Sequence, residues 1–247
     1  MKTVARTWLE NTIEARRMFA FLGDGYEDYK AARILLRAGM PVQGAQLAST
    51  AVEKHLKAVL ALQGNVSHGH LRRAHWNALK AFDPEFYSGI QVGLFELLVK
   101  CYTLRYTGSV PEDFNLVIAS RELLGWLDIF AVTLQKVFTS RRNGKEQKRP
   151  FHTDLEAENE HLFAENVVLN RPDAEPIQLA QFVYARPQLV CEVRYQRRTG
   201  LYTFQYLSQD QPKDPRLDRE GLRPVSDRPL SYDLSHLNVR ATRHDDA

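Results

Sequence analysis

Residues 41–63, PVQGAQLASTAVEKHLKAVLALQ, constrain the fold more than any other stretch of this chain. Apolar residues recur at Ala45, Ala48, Val52, Leu56, Val59 and Leu62, in steps of three and four that draw one stripe along a helix of 3.6 residues per turn. The small residues Gly44, Ala45, Ala48, Ser49, Ala51 and Ala58 allow neighbouring helices to approach closely. Such a helix belongs in the middle of a bundle, and the chain is expected to be mainly α.

The flanking stretches supply partners for it. A helix is expected over residues 3–21, ended by Gly23-Asp24-Gly25, with a second over 26–37 capped by Asp24 and Glu27. Gly39 closes the second and Pro41 opens the central helix. A shorter helix carrying Leu71, Trp76, Leu79 and Phe82 follows, broken at Asp83-Pro84, and then a long one over residues 86–106. Ser109-Val110-Pro111-Glu112 has the form of a capping box and starts a helix that continues to about residue 140, with Gly125 as a bend.

The character changes at Arg141. RRNGKEQKR has no apolar residue, which makes residues 141–150 a basic linker. Beyond it the period becomes two: FAENVVLN, IQLAQFVYA, QLVCEVRYQ and LYTFQYLS read as strands, so residues 151–208 are expected to form a small antiparallel β region. Its last two strands make the clearest hairpin. Residues 209–247, rich in Pro, Asp and Arg, are expected to be an irregular tail.

Composition excludes more than it assigns. The net charge of +3 is too small to predict nucleic-acid binding from the global field. Cys101 and Cys191 form no CxxC pair, so neither a disulfide framework nor a zinc site is expected and a reducing cytoplasm is the default setting. No apolar run approaches the roughly 18 residues of a membrane span, and the N-terminus carries charges where a signal peptide has its apolar region. Gly-rich phosphate loops, nucleophile elbows, HExxH and Walker sequences do not occur, and no cofactor is expected.

Four pieces in order, L-L-R-x-G ending at Gly39, A-V-E-K-x-L-K-A at residues 51–58, G-H-L at residues 69–71 and Y-x-x-R-Y at residues 102–106, resemble the HEPN domain family. They span residues 24–140, about half the chain. The resemblance implies an antiparallel bundle of about five helices, a homodimer, and a role connected with RNA or nucleotides. It also implies the company of a nucleotidyltransferase-like partner protein in a prokaryotic toxin–antitoxin or defence system. Many members are metal-independent ribonucleases that use Arg, then four to six intervening residues, then His. None of the eight histidines here has an arginine at that spacing.

Candidate site residues gather at the helix ends. His70 and His75, with His68 nearby, stand beside Arg72 and Arg73, and imidazole with guanidinium is the chemistry of RNA cleavage without a metal. Arg105 and Tyr106 end a helix, where the guanidinium fork suits either a phosphate or the helix C-terminal dipole. Glu53 and Lys57, four apart, read as a helix-surface ion pair. Arg141, Arg142, Lys145, Lys148 and Arg149 read either as a solvated linker or as a track along a phosphate backbone. Arg194, Arg197 and Arg198 mix with tyrosines in the hairpin, where cross-strand packing accounts for the aromatics. The leading expectation is a HEPN-like dimer that binds RNA, a nucleotide or a partner protein without the family's nuclease motif. The alternatives are a ribonuclease with His70 or His75 as its acid–base residue, supported by Arg72, Arg73 and Arg105, and a structural subunit of a larger assembly.

Overall fold

The computed structural model describes residues 6–9, 12–64, 69–90, 92–106, 110–112, 114–142, 145–170, 179–196 and 200–208. The expected tail at 209–247 and the cap residue Ser109 lie outside them. The protein is mainly helical, with a small antiparallel sheet. The elements run β1 (Arg6–Leu9), α1 (Ile13–Arg37), α2 (Pro41–Leu62), α3 (Arg73–Phe82), α4 (Pro84–Gly89) and α5 (Val92–Thr103). They continue with β2 (Asn115–Ala119), α6 (Ser120–Val137), β3 (Phe138–Arg142), β4 (Lys145–Gln147), α7 (Pro150–Glu156), α8 (Glu160–Phe163), α9 (Leu179–Tyr184), β5 (Leu189–Gln196) and β6 (Gly200–Leu207).

The stripe of residues 41–63 becomes α2, which packs against α1, α3, α5 and α6. Ala45, Ala48, Leu56 and Val59 have no exposed surface. The hairpin from α1 into α2 is closed by Gly39 at φ 76°, with the Met40 N–H donating to the Leu35 carbonyl at 2.9 Å. Glycines set the separation of the two helices. A Cβ at Gly44 would lie 2.7 Å from Leu36 Cγ, and one at Gly25 would lie 2.8 Å from His55 Nδ1.

Gly25 explains why α1 does not break at Gly23-Asp24-Gly25 as expected. Two interior glycines cost about 2 kcal/mol of helix propensity. Full burial of Leu22, Tyr26 and Tyr29 on either side outweighs that, at roughly 1.5–3 kcal/mol for a large apolar side chain. Thr12 caps the helix, its side-chain oxygen accepting from the Ala15 N–H at 3.1 Å. Residues 6–9, expected in a helix, instead form β1.

A second difference falls at residues 115–119, expected as the first turns of a helix and found as β2. Apolar residues at Leu116, Val117 and Ile118 fit either period, and long-range pairing decides. Leu116 pairs with Val193 and Ile118 with Cys191, so β2 becomes an edge of an antiparallel sheet ordered β2-β5-β6. Helix α6 therefore starts at Ser120, and its cap comes from far away. Gln188 Oε1 accepts from the N–H groups of Arg121, at 3.1 Å, and Glu122, at 3.3 Å.

The stretch expected as a linker is structured too. β3 runs directly on from α6, pairs with β1 in parallel and with β4 in antiparallel, and β3 and β4 flank Asn143-Gly144. Residues 163–170, expected as a strand, leave α8 at Phe163 and continue in turns, where Asn166 Oδ1 accepts from the Val168 and Leu169 N–H groups. The segment IQLAQFVYA contributes α9 rather than a strand, and α9 sits on Gly125 of α6, where a Cβ would meet Leu179 and lie 3.2 Å from Phe182 Cδ1. Gly125 thus admits a neighbour and does not end the helix. The hairpin expected from the last two strands is present as β5 and β6, with Cys191 and Val193 fully buried.

Polar groups lock the later segments to the bundle. Arg33 and Asp128, neither with any exposed side-chain surface, form an ion pair between α1 and α6. Tyr29 Oη donates to Asp128 at 2.8 Å, and Arg33 donates to the carbonyls of His161 at 3.0 Å and Ala164 at 2.6 Å. On the other side of α1, Gln135 donates to the Leu22 carbonyl and to His55 Nε2, while Arg149 donates to the Gln135 side-chain oxygen at 2.6 Å. His55 Nδ1 lies 2.7 Å from the Ala51 carbonyl, so the ring is neutral with its proton on Nδ1.

Asp128→Ala leaves the Arg33 charge buried without its partner, and urea unfolding is expected to show a loss of about 3–5 kcal/mol. Burial, aided by the Arg149 charge, pushes His55 from 6.5 down to about 4. The unfolded chain takes up this proton first as pH falls, so the stability tied to neutral His55 is fully present above 6.5 and lost towards pH 4. Between pH 7 and 4.5 the parent should lose about 2–3 kcal/mol more, by urea unfolding, than His55→Gln does over the same interval.

Candidate functional site

The site is built where α2, the 69–72 loop and the end of α5 meet. Leu71, at φ 36°, turns the chain so that His70 lies over α2 while its neighbours Arg72 and Arg73 stay exposed. Gly69 at φ 136° allows the entry to this turn. His70 Nδ1 is ion-paired with Glu53 Oε2, and His70 Nε2 lies 3.0 Å from Ser49 Oγ. Ser49 and Glu53 are four apart on α2, one turn of helix, so a single ring can bridge them.

Hydrogen bonds occupy both nitrogens of the ring. Ser49 Oγ donates to the Leu98 carbonyl of α5 at 2.7 Å, which uses its only proton and leaves it an acceptor towards His70 Nε2. Glu53 can only accept at Nδ1. Both ring nitrogens are therefore committed to partners on α2, one to a hydroxyl and one to a carboxylate. Glu53 is also ion-paired with Lys57. Burial alone would raise the Glu53 carboxyl, but hydrogen bonds from His70 and Lys57 outweigh it and hold the group below its ordinary 4.5.

Ser49, His70 and Glu53 stand in the order of a hydrolytic triad, yet Ser49 has no exposed surface and lies under the α5 backbone. A nucleophile sealed there cannot meet a substrate carbonyl. The arrangement ties three elements together.

The outer face is aromatic and cationic. The Tyr102 ring stacks on His70 with centroids 3.2 Å apart at 19°, and Tyr106, 59% exposed, meets Tyr102 edge-on at 6.1 Å. The Arg105 guanidinium carbon lies 5.0 Å from the Tyr102 centroid. Its Nη2 donates to the Gln46 carbonyl at 3.1 Å and to Thr50 Oγ1 at 2.6 Å, and the residue is otherwise exposed. Arg72 and Arg73 are exposed and form no ion pair among the described residues. Desolvation, followed by the Tyr106 side chain, raises the Tyr102 phenol above 10.

The expected site residues divide. His70, Arg105 and Tyr106 come together around the Tyr102 ring, while the exposed Arg72 and Arg73 follow His70 into the start of α3. His75 is separate in role. It has no exposed surface, and its Nδ1 accepts from the Arg72 N–H at 2.9 Å, so the ring closes the first turn of α3 from within. Burial lowers its pKa. His152 makes the same reach to the Arg149 N–H at the start of α7, at 3.4 Å, so R-x-x-H serves twice as a helix start. His68, Arg197 and Arg198 lie outside the described residues.

Two members of the basic cluster at residues 141–149 are engaged within the protein. Arg149 is buried, its guanidinium donating to Gln135 and to the Phe138 carbonyl, and Lys148 pairs with Glu156 at 2.6 Å. Arg194 pairs with Glu192 at 2.6 Å. Sequence reasoning missed Ser49 as a site residue and placed Glu53 in an exposed pair. The available signal was their i,i+4 spacing on the face that also carries the buried alanines. Among the described residues no cluster of three His, Cys, Asp or Glu could hold a metal ion, and no helix is long and apolar enough to cross a membrane.

Glu53→Gln is expected to cost about 1.5–3 kcal/mol in urea unfolding at pH 7, the worth of hydrogen bonds to a charged group. The depressed carboxyl makes this contribution present above 4.5 and lost as pH falls through the lower folded value, so the gap between parent and variant should close in acid. No family model, no curated protein and no solved structure matches the chain.

Proposed function

We propose that this protein is an RNA-binding helical module that holds its target without cutting it, acting as a dimer in the way the HEPN resemblance implies. The observation that carries the proposal is the Arg105 guanidinium beside the half-buried Tyr102 ring and the exposed Tyr106, with the exposed Arg72 and Arg73 following His70 in the turn that stacks on Tyr102, and none of the three arginines in an ion pair among the described residues. Guanidinium forks with aromatic faces are the groups that take phosphates and unpaired bases together.

The histidines at the same place support a binding role over a cleaving one. His70 has both nitrogens committed to Ser49 and Glu53, so it offers no lone pair to a 2′-hydroxyl. His75 has no surface at which to meet RNA. The partner we propose beyond RNA is a nucleotidyltransferase-like protein, on the resemblance alone.

The test is fluorescence anisotropy with a labelled 12-nucleotide RNA across a salt series, beside a cleavage assay in EDTA. Binding should weaken with salt by a slope of about 0.7 per phosphate contacted, and an Arg72→Ala/Arg73→Ala/Arg105→Ala variant should lose about two units of that slope. Intact RNA after prolonged incubation is expected from both the parent and His70→Ala. Absence of binding at low salt, or cleavage that disappears in His70→Ala, would overturn the proposal.

A further inference from the structure

An open groove of about 500 Å³ lies between α3, α4 and α5, next to the turn that carries His70. Its wall is aromatic. Trp76 and Phe95 lie with centroids 3.7 Å apart at 32°, and Tyr87 runs near-parallel to Phe95 at 6.4 Å and 24°. Val99, 43% exposed, continues the apolar surface, while Arg73 and Lys100 stand at the rim against the single acid Glu96. Nothing in the core requires these rings to open on solvent: Phe95 is buried, whereas Trp76 and Tyr87 are only half-buried.

We infer that this groove takes an unpaired base of single-stranded RNA, stacked on the Trp76, Phe95 and Tyr87 rings, with Arg73 and Lys100 on the phosphates that flank it. The inference rests on the RNA-binding reading above and adds to it the part of the nucleotide that the groove would recognise. Two features choose this occupant over an apolar helix of a second copy. Arg73, exposed and in no ion pair among the described residues, stands beside the aromatic wall, which complements a phosphate backbone. Arg73 lines the groove and directly follows the exposed Arg72 of the His70 turn, so a strand leaving the groove on that side passes a second guanidinium. On α5 the residues Phe95, Val99 and Tyr102 follow at steps of four and three, one helix face that leads from the groove to the Tyr102 ring. Such stacking is tolerant of sequence, because every base has a π-face, and purines present the larger one.

The full chain is titrated by anisotropy with labelled oligoadenylate of 12 nucleotides and with an abasic strand of the same length, which keeps the phosphates and removes the bases. Oligoadenylate should bind at least about tenfold more tightly than the abasic strand, as a stacked base is worth that much or more on an aromatic wall. Tyr87→Leu, at the groove edge, and Trp76→Leu should each remove most of that difference and leave the abasic affinity unchanged. Far-UV melting identifies either variant that has lost its fold, and the other then carries the comparison. Equal affinity of the parent for both strands overturns the groove assignment while leaving the phosphate contacts standing. Binding of neither strand removes the RNA reading and this inference with it. Conversion of a dimer to a monomer by Tyr87→Leu, with the preference for oligoadenylate unchanged, assigns the groove to a second copy and overturns the inference.

Discussion

The ion pair of Arg33 with Asp128 is the constraint on which the rest of the architecture depends. Two charges with no exposed side-chain surface persist only if further hydrogen bonds replace the water they have lost. Here Tyr29 and the Val167 N–H also donate to the carboxylate, and each guanidinium nitrogen has an acceptor, in Asp128 and the carbonyls of His161 and Ala164. The pair by itself adds little net stability, since desolvation offsets most of the Coulomb energy. Its effect is on uniqueness. Only one placement of α1 against α6, and only one path for residues 161–167, satisfies all of these groups. That fixed frame holds α2 against α1 at a separation where a methyl group at Gly25 or Gly44 would collide.

With α2 fixed, Glu53 and Ser49 have a fixed place, and the loop carrying His70 is drawn onto them. The electrostatics of that contact decide what the site can do. A carboxylate beside an imidazole activates it when the other nitrogen faces a substrate. Here the other nitrogen faces a buried hydroxyl, and the same carboxylate immobilises the ring. Immobility has a use of its own, because a stacked Tyr102 and the arginine above it inherit a rigid base. Binding surfaces gain affinity when little side-chain freedom remains to be lost.

Local pattern made α2, the Gly39–Pro41 turn and the β5–β6 hairpin legible, because each is specified within its own residues. What was not legible depended on distant partners. Residues 115–119 satisfy helix and strand periods alike until Val193 and Cys191 arrive beside them. Gly23-Asp24-Gly25 carries a genuine break signal that burial of its neighbours overrides. The period-two run at residues 163–170 was a set of turn residues organised by Asn166. For the site, the arginines and His70 could be found from residue type, while the commitment of both His70 nitrogens could not. That fact requires knowing that the Leu98 carbonyl takes the Ser49 proton.

Gln188 closes the start of α6, and β5 fills the position beside β2, so residues near 190 complete structure begun near 115. During synthesis, a chain emerging from its N-terminus would present α6 with open N–H groups and β2 with a bare edge for as long as the intervening 70-odd residues take to appear. Long-range closure of that kind is slow relative to local helix formation. An early α1–α2 hairpin, sealed by contacts close in sequence, would wait as a finished platform for a late-arriving sheet.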